Sequence, residues 1–191
     1  MTIRTNHYEV ALEAFLRDEK IPYIAVDERR RSLYGAGSLK NLDFIATPSG
    51  SDMSWLIDVK GRRFPSGRRN CYWKNWTTTD DLHSLSQWQR LLGPQFRGIL
   101  VFVYDVVGEM APVPQHLLYE HQDRLYAFIG VRLDLYVAWA RKISPRWKTM
   151  SMPTKAFRQL AEPLQVTLRT PVVSGGDFDH RRSTSIAPAI A

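Results

Sequence analysis

One cysteine, Cys71, stands in 191 residues. That excludes an intrachain disulfide framework and suits a reducing compartment. Acids are the scarcer charge: 19 Asp and Glu face 26 Lys and Arg, for a formal net charge of +7. A basic excess turns the surface toward polyanions, nucleic acid or an anionic membrane. No apolar run approaches the roughly 18 residues a membrane span needs. The opening MTIRTNHYEV lacks the apolar core of a signal peptide. A cytoplasmic protein with no membrane partner is the expectation. There is no internal repeat.

What is there reads as a globular α/β chain, 44% apolar and 24% charged. Residues 6–20 carry Tyr8, Ala11, Leu12, Phe15 and Leu16 at helical spacing, with Asn6 placed to cap. Residues 21–28, 39–47 and 53–60 read as strands, and the last two flank the turn-forming PSGSD. RRRSLYGAGS reads as a basic loop, and 61–76 as a basic, aromatic, turn-prone segment. Residues 78–93 form a second helix, capped by Thr79 or Asp80 and stopped by Gly93-Pro94, with Leu82, Leu85, Trp88 and Leu92 as its buried stripe. The β-rich run 96–107 is a central strand. Beyond 124, a strand runs into a helix, 148–153 forms a short edge strand, and 154–164 a short helix. Helix, three strands, helix, strand is the order of a mixed sheet flanked by helices.

One stretch stands out. In LIDVKGRR (56–63), Asp58 and Lys60 are two apart on an apolar strand, so both point to one face. With the preceding turn centred on Gly50-Ser51, an antiparallel hairpin sets Asp43 opposite Asp58 and Asn41 opposite Lys60. Two carboxylates about 4.5–5.5 Å apart at Cβ need a proton or a cation between them. A hard divalent ion is one solution. A plain ion pair from Lys60 to either acid is the other, and both stand open.

Glu9 shares the inward stripe of the first helix with Leu12 and Leu16, so it needs a partner: a metal, its water shell, or Lys60. Glu13 is a weaker candidate on the same stripe, and His7 reads as structural or as a phosphate contact. Gln89 lies within the buried stripe of the second helix, either as a satisfied polar group or as a substrate contact. Arg62 and Arg63 follow Lys60 directly. Arg68, Arg69 and Lys74 follow among Phe64, Tyr72, Trp73 and Trp76, and Arg29–Arg31 form a second patch. Arginines among aromatics are what phosphate contact and base stacking use.

LDFIA, then LIDVKGR about 15 residues later, resembles the PD-(D/E)XK nuclease superfamily, the restriction-endonuclease-like proteins, with archaeal Holliday-junction resolvases as the nearest texture. NHYEVALEAFL, PYIAVDE and LIDVKGRRF also look like a bacterial group of HYExE-type proteins, from which no function is carried. The superfamily resemblance covers residues 6–105 and implies an αβββαβ core. The expected layout is a single nuclease-like domain over 1–170 with 106–170 as a family-specific extension, while 171–191, polar and rich in small residues, reads as a flexible tail. The resemblance implies a Mg²⁺- or Mn²⁺-dependent nuclease acting on DNA. Asp43, Asp58 and the Val59 carbonyl would hold the ion, Lys60 would position or activate water, and Glu9 would hold a second ion or a metal-bound water. Arg62, Arg63 and Gln89 would orient the nucleic acid. A homodimer fits two cuts across a duplex. A catalytically silent nucleic-acid-binding protein on the same fold is the alternative.

Overall fold

Asn6 starts α1 (His7–Asp18): its side-chain oxygen accepts the Tyr8 amide, the capping role its position predicts. A computed structural model describes residues 6–27, 31–34, 37–66 and 73–169. The expected tail at 171–191, the side chains of Arg29–Arg31, and Arg68, Arg69 and Tyr72 lie outside the described residues.

Three short strands follow α1: β1 (Tyr23–Ala25), β2 (Arg31–Tyr34) and β3 (Gly37–Lys40). β2 and β3 pair as an antiparallel hairpin where the sequence suggested a basic loop. Next come β4 (Phe44–Ala46) and β5 (Ser54–Phe64). The single strand expected at 39–47 is therefore broken at residues 41–43, between two different sheets. β5, conversely, runs on through Gly61-Arg62-Arg63, because β7 pairs with it along its whole length.

β6 (Thr77–Thr78) leads into α2 (Thr79–Leu92). The cap is Thr78, one residue earlier than expected: its side chain accepts the Asp81 amide while Asp81 accepts the Thr78 amide. That reciprocal pair is a capping box. Leu82 and Leu85 are buried as predicted, whereas Leu92 is exposed at the frayed end. β7 (Phe96–Val106) is the central strand. After it come β8 (Tyr119–His121), β9 (Arg124–Arg132), α3 (Leu133–Trp139), β10 (Arg141–Ser144), β11 (Thr149–Ser151), α4 (Thr154–Leu160), β12 (Glu162–Pro163) and α5 (Leu164–Arg169).

The main sheet has the order β1-β4-β5-β7-β9-β12, with β8 also on β9. β5 and β7 are parallel, joined by the α2 crossover, and the other pairs are antiparallel. This is the mixed sheet flanked by helices that the pattern predicts, and α1-β1-β4-β5-α2-β7 supplies the expected αβββαβ order. Alternation along β7 divides the core. Ile99, Val101 and Val103 pack beneath α1 and α5, while Leu100, Phe102 and Tyr104 pack beneath α2, α3 and α4. A small second sheet, β10-β11-β6, makes β11 a middle strand rather than an edge. Among the described residues, no helix is long and apolar enough to cross a membrane.

Candidate active site

The β4–β5 register is the predicted one from Ala46↔Trp55 to Phe44↔Ile57. At Asp43 the ladder slips. The Asp43 amide donates to Ile57 O at 2.9 Å, and its Oδ2 accepts the Val59 amide at 2.5 Å. The carboxylate therefore takes the place of the next main-chain acceptor, in the plane of the sheet beside Asp58. This corrects the expectation of two side chains squarely opposed across a regular ladder. Adjacency of the two acids survives the correction.

Asp58 and Lys60 share the α2 face of β5, as their spacing requires: Lys60 Nζ lies 2.5 Å from Asp58 Oδ2. Lys60 also reaches Asp81 Oδ2 at 3.4 Å, and Lys40 reaches Asp81 Oδ1 at 2.8 Å. Asp81 further accepts the Thr77 hydroxyl and the Thr78 amide. A chain Lys40–Asp81–Lys60–Asp58 thus crosses from β3 through α2 to β5. Lys40, Asn41, Leu42, Asp58, Asp81 and Trp88 are among the residues lining a small cleft there. Asp81 is not among the site residues that the sequence predicts. The signal that could have found it is Thr78-x-x-Asp81, which fixes an inward carboxylate at the helix start.

Glu9 is 3% exposed. It sits on α1 over the opposite face, and its Oε1 accepts the Asn6 side-chain amide. Gly61 explains how α1 comes so near. A Cβ there would stand 2.1 Å from the Tyr8 ring, so only glycine admits the first turn of α1 onto β5. Glu9 adds its charge to the field felt by Asp43.

The electrostatics differ across the site. Burial pushes the Asp43 carboxyl well above its ordinary value, and Asp58 and Glu9 push it further, against the Val59 amide and Lys60. Burial also raises Asp58, although Lys60 opposes it. Burial works against the Lys60 ammonium, but Asp58 and Asp81 more than offset it and hold Lys60 above its usual value. Burial alone would raise Asp81; Lys60, Lys40 and Thr78 instead hold it far below the carboxylate range. Lysines neutralise the Asp81 side, whereas the crowded carboxylates on the Asp43 side favour uptake of a proton. Among the described residues no three His, Cys, Asp or Glu side chains converge as a ready metal cage. Two carboxylates with water and substrate oxygens are nevertheless a usual Mg²⁺ set, and the repulsion at Asp43 is of the kind a cation relieves.

The remaining candidates disperse. Arg62 shares the Lys60 face, but its guanidinium stacks on Trp76 at 4.0 Å and donates to the carbonyls of Gly61 and Trp76. Arg63 points the other way and is exposed. Gln89 accepts the Gly98 amide at 2.7 Å, tying α2 to β7 four residues before Phe102, the partner of Lys60. That is the satisfied polar role, about 13 Å along the strand from the lysine row. His7 bonds the Tyr126 hydroxyl, and Glu13 accepts from Tyr23.

No described protein family matches the chain, so the HYExE likeness has no support there, and no curated protein matches it. Among solved structures, it is similar to Hjc, a Holliday junction resolvase from Archaeoglobus fulgidus. The identity is 13%, the match covers 85% of this chain and 98% of that one, and the TM-score is 0.47.

Proposed function

We propose that this chain is a divalent-metal-dependent nuclease acting on DNA. The observation that carries the reading is Asp43, driven toward protonation first by burial and then by Asp58 and Glu9, next to a charged Lys60. Such a site crowds more carboxyl groups than its lysines balance, and a dipositive ion with a phosphate restores the balance. The PD-(D/E)XK resemblance and the net charge of +7 support the same substrate class. Asp43 and Asp58, with the Val59 carbonyl, would hold the ion. When bound, the ion would counter charge on the phosphate and the leaving oxygen.

The chain's own groups divide the remaining work. Lys60, held as an ammonium, donates from Nζ to a phosphate oxygen or to the attacking water; it is not a neutral base. Asp81 is a positioning residue: its two oxygens hold Lys60 and Lys40 apart, and aim Lys60 along β5. Glu9 adds to the crowding that drives Asp43 toward a proton when no cation is there. Arg63 offers an exposed cation for the DNA backbone.

Supercoiled plasmid incubated with Mn²⁺ should be nicked by the wild-type protein and left intact by Asp58→Ala, with DNA affinity in EDTA retained. Absence of cutting on linear, circular, flapped and branched DNA with either Mg²⁺ or Mn²⁺ would falsify the enzyme reading. A catalytically silent DNA-binding protein is the second reading. It is favoured by the closed ion pairs of Lys60 with Asp58 and Asp81.

A further inference from the structure

The β10–β11 hairpin belongs to no part of that site, yet it exposes large apolar side chains among cations. From residue 135 to residue 161 the chain carries six cations, Arg141, Lys142, Arg146, Lys148, Lys155 and Arg158, and no acid. Trp139 and Ile143 are more than half exposed, and Trp147 at the turn is 68% exposed. An apolar ring at a hairpin tip has nothing to gain from water. The Arg146 guanidinium lies 5.2 Å from the Trp147 ring centre, so cation and indole are presented together.

The tip is also held. Lys148 has φ of 48°, its amide donates to Pro145 O, and the Trp147 amide donates to the Ser144 hydroxyl. β11 pairs with β6, and the Thr79 amide donates to Lys148 O at 2.9 Å. Thr79 is the first residue of α2, two before Asp81. The exposed indole is thus mounted on the same helix start that holds Lys60.

We infer that the hairpin, through Trp147 flanked by Lys142 and Arg146, binds nucleic acid with unpaired bases by stacking, beside the Asp58–Lys60 cleft. This deepens the nuclease reading by naming the form of nucleic acid, and it shares only the partner with that reading. Charge complementarity selects a polyanion. The flat, exposed indole favours a base face over the edge of an intact duplex, because base–aromatic stacking needs an unpaired base and accepts any sequence.

The test is fluorescence anisotropy of a labelled 20-mer of oligo-dT and of a blunt 20-bp duplex, with the full chain in EDTA so that nothing is cut. Wild type should prefer the single strand. Trp147→Ala should weaken that binding on the order of 10-fold, and Trp147→Phe should largely retain it. Lys142→Ala with Arg146→Ala should lower the salt slope by about 1.4. Equal oligo-dT affinity for wild type and Trp147→Ala, with matching thermal melts, overturns the inference. So does Trp147-dependent binding to phosphatidylserine vesicles without oligonucleotide binding, which would assign the hairpin to membranes. A Trp147 effect in a protein that cuts nothing removes the nuclease reading alone.

Discussion

Asp43→Asn separates a site built for a cation from a site built for stability. Asp43 is 4% exposed, and burial, Asp58 and Glu9 all disfavour its charge. Two carboxylates about 5–7 Å apart at an effective dielectric near 20 repel by roughly 2–3 kcal/mol. Asparagine removes that repulsion and keeps an acceptor for the Val59 amide, though a charged acceptor is stronger by about 1 kcal/mol. The net expectation is a gain of about 1–2 kcal/mol, or roughly 3–6 °C in melting temperature for a domain of this size. The assay is thermal unfolding in EDTA at pH 7.5.

Sign and metal dependence sharpen the prediction. Because the folded carboxyl titrates above its unfolded value, the penalty on wild type grows as pH climbs from the unfolded value to the raised one and is full above it. It vanishes only below the unfolded value. The advantage of Asp43→Asn should therefore be full at alkaline pH and shrink on acidification. Added Mn²⁺ should reverse the order: at one hundred times its Kd it stabilises wild type by about 2.7 kcal/mol and leaves the variant unmoved. A variant that melts lower than wild type in EDTA, together with a wild type indifferent to Mg²⁺ and Mn²⁺, refutes the electrostatic account of the site.

Two further substitutions probe how the site is mounted. Asp81→Ala removes the capping box and both lysine contacts, so it should cost at least the ~1 kcal/mol of a cap and free Lys60, read by urea unfolding. Since Asp81 titrates below its ordinary range, that deficit should be present at neutral pH and fade as wild type loses the same stability in acid. Gly61→Ala sets a methyl against Tyr8, and overpacking of this kind costs about 1–3 kcal/mol. Adding Tyr8→Ala should recover much of that melting temperature, and no recovery would show that Gly61 matters for another reason.

The parts of this molecule that were legible are those set by short-range rules. Period 3.6 in α1, the continuous apolar run of β7 and the turn at Gly50 each determine local geometry, and Gly50 does have the positive φ its turn needs. From that turn follows the β4–β5 register as far as Phe44↔Ile57; beyond it the Val59 amide, not the ladder, holds the Asp43 carboxylate. Several of the differences share one cause, a partner distant in sequence. β5 extends through Arg63 because β7 pairs with it, and β11 is a middle strand because β6 returns to it. Arg62 looked like a phosphate ligand by its neighbours in sequence. In space its neighbour is Trp76, and burial now depresses the guanidinium.

Asp81 shows the same limit within the site. Its local role as the third residue of a helix was readable from Thr78-x-x-Asp81, but nothing local says that β3 delivers Lys40 and β5 delivers Lys60 to its two oxygens. The Asp-x-Lys pattern thus led to one half of an ion-pair chain, and the fold supplied the other. This division bears on function. Lysines neutralise the Asp81 half, so that half can orient Lys60 without a ligand. The Asp43 half stays short of positive charge, and there a divalent cation has the most to contribute.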